Sequence, residues 1–493
     1  MVSSRHSKSP GPWLPLSRRD FLRRSASGFG AVAASALLAD RALAQSAPKE
    51  HPLAPKAPHF PARAKNVIFL YMDGGPGQMD TFDPKPELER WGDQPLPIDA
   101  PATQFDDVGT VYPSPWKFQR GGESGLPISD LFPKLREHAD KLCIVRSMTS
   151  KFPEHTAANY LLHTGHNPGG RPSMGAWCTY GLGSEADDLP GYVVVDGGLV
   201  PPGGIECYGS GFLSPAFQGS IFRPEGDAVA HSRGRHSGTE REAKRRGLLR
   251  LLDRDTNPAP GLDPSMEAAL ANYELGYRMQ AAVPELSDIS RETEATRKLY
   301  GLDETFAATQ SFGRQCLLAR RLVEKGVRFV QVPMTHVPDS GNDRWDQHRD
   351  LYKGHTSNAR TVDQPIAGLL ADLESRGLLE TTLVIFAAEF GRTPMAQGKD
   401  TSRPSAPDNR GRDHNPHGFS IWMAGGGVRG GMTYGATDDF GYFVADQPVE
   451  IYDLHATMLH LLGLDHTQLT VRFNGRDMRL TDVHGHVLRD ILA

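Results

Sequence analysis

Asn66-Val67-Ile68-Phe69-Leu70-Tyr71-Met72 runs directly into Asp73-Gly74-Gly75. A stretch this apolar, without alternation and closed by a carboxylate and two glycines, reads as a strand buried on both faces of a parallel sheet. Working outward, 142–145, 192–195, 327–332, 382–388 and 420–423 read as further short buried strands. Helical patterns fall over 129–140 (with Ser129 as N-cap), 157–163, 306–325, 366–376 and 452–462. Strands alternating with helices predict a mostly parallel central sheet covered on both faces, an α/β/α sandwich of three layers. In such sheets the chemistry gathers at the carboxyl ends of the strands.

The chain has 493 residues, 38% hydrophobic and 23% charged. That is ordinary for a globular protein and ample for a core without disulfide staples. The four cysteines, Cys143, Cys178, Cys207 and Cys316, are scattered, and no pair has metal-ligand spacing. A formal net charge of −5 excludes nucleic-acid binding by bulk charge. No apolar run reaches the roughly 18 residues of a spanning helix.

Ser17-Arg18-Arg19-Asp20-Phe21-Leu22-Arg23, a mildly apolar stretch over 26–38 and Ala42-Leu43-Ala44 come one after another. This order resembles a twin-arginine signal peptide over 1–44, which predicts export to the periplasm or beyond. Residues 1–44 carry seven Lys/Arg and two Asp/Glu, so cleavage takes the net charge to −10. Residues 45–63 read as a linker and 64–493 as the folded domain. Within it, 200–300 turns Gly/Pro-rich, then charged, then helical, and reads as an inserted cap. The basic residues of 241–250 read as a solvated helix face.

The candidate chemistry lies just past the strand ends. Asp73 comes after the first strand. Glu154, His155 and Thr156 come after the second. His336, Asp346 and His348 come after the 327–332 strand, and Glu389 after the 382–388 strand. A loop, Arg412-Asp413-His414-Asn415-Pro416-His417, is the last of these segments. Mixed carboxylate and imidazole sets at one sheet edge suit zinc- or manganese-type ions. Two such ions close together activate a nucleophile and clamp a phosphoryl group.

The stretches 66–73, 154–165, 345–348 and 383–389 resemble the alkaline phosphatase superfamily, which includes sulfatases and phosphodiesterases. More closely, the chain resembles the twin-arginine-exported "domain of unknown function 1501" family. Its motifs appear as Asp80-Thr81-Phe82-Asp83-Pro84-Lys85, Trp345-Asp346-Gln347-His348, Glu389-Phe390-Gly391-Arg392-Thr393-Pro394, Gly411-Arg412-Asp413-His414 and the glycine-rich 425–431. The resemblance implies that Asp73 ligates one metal and that Asp346 and His348 hold another. Glu389 stands where the superfamily has an Asp followed by His or Asn, but Phe390 comes after it here. His414 or His417 would complete a site, with Asp413 orienting an imidazole.

The nucleophile departs from the superfamily pattern. Counting back nine residues from Thr164-Gly165 lands on His155, where Ser, Thr or Cys is expected. His155 is then a ligand or a nucleophile, Thr156 is the alternative nucleophile, or a metal-bound hydroxide attacks without a covalent step. No Cys-x-Pro-x-Arg segment is present, which speaks against a formylglycine sulfatase. Arg392 and Arg146 are candidate anion clamps, each weighed against a structural ion pair. The glycines of 425–431 read as a turn needing positive φ.

The resulting expectation is an exported hydrolase of phosphate or sulfate esters with one or two divalent ions, zinc first and manganese or calcium as alternatives. Its partner would be a small-molecule or glycan ester, without nucleic acid and without a transmembrane segment in the mature chain. The alternative is an exported binding protein that keeps the fold, and perhaps the ion, without turnover.

Overall fold

A computed structural model describes residues 52–105, 108–225, 282–337, 344–397 and 409–493, together with 275, 276, 278 and 279. The signal segment 1–44, the basic stretch 241–250 and the charged centre of the expected cap lie outside the described residues. In chain order the main elements are β1 (Asn66–Tyr71), β2 (Val108–Val111), β3 (Leu142–Thr149), α1 (His155–Thr164), α2 (Met174–Leu182), β4 (Tyr192–Val195) and β5 (Ser220–Phe222). They continue with α3 (Ala307–Glu324), β6 (Phe329–Pro333), α4 (Leu351–Ser375), β7 (Thr382–Ala387), β8 (Gly391–Gln397), β9 (Gly411–Asn415), β10 (Phe419–Ala424), β11 (Met432–Tyr434), β12 (Val449–Glu450) and α5 (Ile451–Leu461).

Among the described residues nine strands form the main sheet, in the order β11-β3-β10-β7-β1-β6-β4-β5, with β12 also on β3. The opening apolar run is its centre. β1 pairs in parallel with β6 on one side and β7 on the other, with Ile68 opposite Val330 and Val384. All six residues of β1, all five of β6 and all six of β7 are buried. Both faces of the sheet are therefore covered, which is why these strands show no polar alternation. β10 is the exception to the parallel rule, running antiparallel to both β3 and β7. Helices α3 and α4 pack along each other, and no helix among the described residues is long and apolar enough to cross a membrane.

Four sequence expectations need correction. The 129–140 helix is instead a strand at Leu126–Ser129 and a 3-10 helix at Leu135–Lys141. Ser129 ends that strand and is not a helix cap: its hydroxyl accepts from Leu131 N at 3.3 Å in a turn, and Lys134 is the N-cap of the 3-10 helix. The 366–376 helix begins far earlier, at Leu351, because Pro365 sits inside α4 instead of ending it. The 412–417 loop is largely a strand, β9, paired antiparallel with β8, which also pairs with β2. The linker is packed from residue 52 onward: Leu53 is buried, Lys56 N donates to Leu182 O and Arg63 N to Leu461 O, each at 2.9 Å.

The first part of the expected cap contributes β5, an edge strand of the main sheet pairing with β4. Gly425, Gly426, Gly427 and Gly431 all adopt positive φ, as the turn reading requires. The four cysteines are buried and free.

Candidate metal centre

Asp73 lies two residues past the end of β1 and is 2% exposed. Gly74 is next, with φ +105°, and an added Cβ there would lie 2.6 Å from Asp346 N. Glycine is therefore what lets the 345–348 segment lie against the end of β1. The contact is sealed by Trp345 N donating to Asp73 O at 2.8 Å, with the Trp345 ring fully buried. The same segment is tied on its other side, where Arg412 N of β9 donates to Gln347 O at 3.0 Å. Sheet end, segment and hairpin thus fix Asp346, His348 and His414 relative to one another.

His155 enters from the first position of α1. Glu154 is the N-cap, its carboxylate accepting from Thr156 N at 2.8 Å and Ala157 N at 3.0 Å. His155, Asp346, His348 and His414 converge so that one ligand atom from each lies within 4.8 Å of every other. His348 Nε2 is 2.8 Å and His414 Nε2 3.2 Å from Asp346 Oδ1, while His155 Nε2 is 3.3 Å from Asp346 Oδ2. The two Nε2 atoms of His348 and His414 are 3.0 Å apart.

The outer nitrogens decide what the inner ones present. His155 Nδ1 lies 2.7 Å from Glu389 Oε1. His414 Nδ1 lies 2.6 Å from the Pro153 carbonyl. His348 Nδ1 bonds the side-chain oxygen of Gln397. Each outer partner can only accept, so each Nδ1 carries the proton. Three Nε2 lone pairs then face one carboxylate, and buried His155 Nε2 has no hydrogen bond of acceptable geometry. Four acceptors pointed at one another repel unless a proton or a cation sits between them. Imidazoles held by outer carbonyl or carboxylate groups around one carboxylate are the donor set of a zinc-type ion.

Burial lowers the His155 pKa, but Asp346 and Glu389 prevail and hold it up at about 9, so without an ion a proton on Nε2 takes the cation's place between His155 and Asp346. Burial likewise favours protonation of Asp346, yet Arg392 and the three imidazoles hold it well below the usual carboxylate range. His414 is pushed down to about 4, chiefly by burial, with Arg392 adding to it. Phe390 packs on His155 and His414 with centroids 4.8 and 4.5 Å away, and Phe105 meets His348 edge-on at 4.9 Å. These rings give the cluster an apolar wall.

Asp73 and Glu389 form a second, adjacent group. They share the Tyr71 hydroxyl, at 3.0 Å from Asp73 Oδ1 and 3.5 Å from Glu389 Oε2. Arg344 Nε donates to Asp73 Oδ2. Burial and then the Glu389 charge raise the Asp73 pKa to about 7, against the pull of Arg344.

The remaining sequence candidates stand elsewhere. His417 packs against Tyr442 and Phe443, outside the cluster. Asp413 accepts from Phe105 N at 3.1 Å and His414 N at 2.7 Å, holding backbone rather than an imidazole. Arg392 is wholly buried and donates to Asp346 Oδ1 at 2.6 Å, Gly75 O at 3.0 Å and Arg412 O at 3.0 Å. Arg146 donates to Phe82 O at 2.9 Å and faces Asp83 at 3.7 Å. Both guanidiniums are thus turned to the protein. Sequence reasoning missed Arg344, Gln397 and Tyr71; only Tyr71, on the strand that delivers Asp73, carried any signal.

Fold and site define an α/β protein with a histidine–aspartate cluster at the carboxyl edge of its sheet. Residues 64–492 match the family described as proteins of unknown function, DUF1501, and the chain belongs to that family. No curated protein matches it. Among solved structures it is similar to a phosphonate monoester hydrolase from Silicibacter pomeroyi, at 12% identity over 87% of this chain and 76% of that one, TM-score 0.36. It is also similar to a sulfatase from Pseudoalteromonas sp., at 14% identity over 82% and 68%, TM-score 0.32. The alkaline phosphatase from the Antarctic bacterium TAB5 shows 11% identity over 83% and 99%, TM-score 0.31. At such scores none of the three bears on the reaction.

Proposed function

We propose that this protein is an exported, metal-dependent hydrolase of phosphate or sulfate esters. One observation carries the metal: three imidazole lone pairs and a carboxylate converge within 4.8 Å, their outer sides fixed by Glu389, Gln397 and Pro153. The substrate class rests on the motif resemblance. His155, Asp346, His348 and His414 would hold the ion, which when bound supplies a Lewis acid for an ester oxygen and acidifies a water.

The chain's own residues do the rest. Glu389 keeps the His155 proton on Nδ1, so that Nε2 offers its lone pair. Arg392 keeps Asp346 ionised. Phe105 and Phe390 limit access of bulk water, which strengthens the field inside. His155 is held at Nδ1 by Glu389 with Nε2 turned to Asp346 and the two other imidazoles, which favours the role of a ligand over that of a nucleophile. Export by the twin-arginine route, on the Ser17–Arg23 motif, belongs to the same reading; N-terminal sequencing of exported protein should start near Gln45, and an intact Met1 would sink it.

The test pairs elemental analysis with turnover of aryl phosphates, phosphodiesters and sulfates by the full-length protein. Wild type should carry zinc or a similar ion and turn over at least one ester class. Asp346→Ala should lose both. Equal, negligible metal in the two proteins would refute the centre. Metal without turnover would favour the non-catalytic binding protein, a reading supported by His155 standing where the superfamily has a nucleophile.

A further inference from the structure

Two buried carboxylates side by side need a positive charge. The Asp73–Glu389 pair has one already, and it is a side chain. Arg344 Nε donates to Asp73 Oδ2 while its Nη2 donates to the Val200 carbonyl at 2.5 Å, so the guanidinium is held at both ends. Its side chain is 28% exposed against 3% for Asp73, so it closes the pair from the solvent side.

Donors from the protein already surround the pair, although the one Tyr71 hydroxyl proton is shared between the two carboxylates and Asn159. Asp73 Oδ1 takes Tyr71 OH at 3.0 Å, and Oδ2 takes Arg344. Glu389 Oε1 takes Gly74 N at 3.0 Å and His155 Nδ1 at 2.7 Å, and Oε2 faces Tyr71 OH at 3.5 Å. The histidine nitrogen nearest this pair presents a proton, not a lone pair. The resemblance to two-metal enzymes implies an ion on Asp73, and these residues do not fit one. They differ from the neighbouring cluster, where three imidazole nitrogens converge on Asp346 and Arg392 donates to its Oδ1.

We propose that Arg344 is the built-in cation of the Asp73–Glu389 pair and that the chain therefore takes up one divalent ion, at His155, Asp346, His348 and His414. The inference rests on the metal reading of that cluster. A permanent, immobile charge replaces an exchangeable one, on the side of the site where the chain approaches Val200.

Full-length protein, stripped with chelator and titrated with Zn²⁺ at pH 8, tests this by ions retained per chain after desalting. Wild type should retain one even in excess zinc. Arg344→Ala should retain two, because its acid pair is left without a counter-charge, and Arg344→Lys should return to one. Two ions in wild type, or one in Arg344→Ala, would overturn the inference. Asp73→Asn guards against an Arg344 variant that does not fold: it should retain one ion like wild type, whereas a fall from two to one would show that Asp73 ligates metal. Zero ions in wild type would break the metal centre itself, an outcome distinct from one ion in both wild type and Arg344→Ala.

Discussion

Arg412 with Asp80 and Arg392 with Asp346 are two buried arginine–aspartate pairs anchored on neighbouring strands of one hairpin. Arg412 grips both oxygens of Asp80, at 2.8 and 3.1 Å, and gives its other N–H groups to the Tyr112 and Thr393 carbonyls. Both side chains are fully buried, and the unit is closed. Arg392 touches only Oδ1 of Asp346 and gives its remaining groups to backbone carbonyls. Asp346 is left 19% exposed and facing three imidazoles. The same two residue types thus build a brace in one place and one wall of a binding site in the other. What separates them is whether the carboxylate is fully claimed by its arginine.

Breaking the closed pair should have the largest effect. Asp80→Ala leaves Arg412 buried without a counter-charge and should cost about 3–5 kcal/mol in denaturant unfolding. The folded fraction should keep wild-type metal content. A loss below about 1 kcal/mol, or metal lost without unfolding, would mean that the two pairs are not of different kinds.

On the open side, Gln397→Ala removes the acceptor that orients His348. Metal affinity should fall by roughly 10- to 100-fold, while the unfolding midpoint of the metal-free protein stays near wild type. Unchanged affinity would show that the His348 tautomer is not set from outside. The smallest effect is expected where the cluster meets α1. Glu154→Ala removes an N-cap and should cost about 1 kcal/mol, with metal content retained. Metal loss there would mean that the cap, and not Glu389, positions His155.

The same contrast explains what could be read from sequence. β1, β4 and β7 were legible because burial on both faces leaves an unbroken apolar string, and for β1 and β7 the acid beyond the strand is found by position. β9 was not: Gly411-Arg412-Asp413-His414-Asn415 has the composition of a loop, yet all five residues are buried. Its charges are matched by Asp80, by backbone donors and by the cluster, and no local pattern announces partners more than 300 positions away. Pro365 hid the first half of α4 for the opposite reason, since a local rule was outweighed by packing: the buried face of that helix runs from Leu351 to Leu373. Arg344 was invisible as one arginine among many, and it acquires meaning only beside Asp73, 271 positions earlier.

The four inward-facing atoms come from positions 155, 346, 348 and 414. His155 therefore leaves the ribosome 259 residues ahead of His414, a wait of roughly 10 to 50 s at ordinary elongation rates of about 5–20 residues per second. No shorter nascent chain owns the complete donor set, and the outer acceptor Gln397 also arrives late. A tightly held ion would then report that synthesis has passed His414 and that β8 and β9 have paired. Truncated or misassembled copies would be marked by its loss.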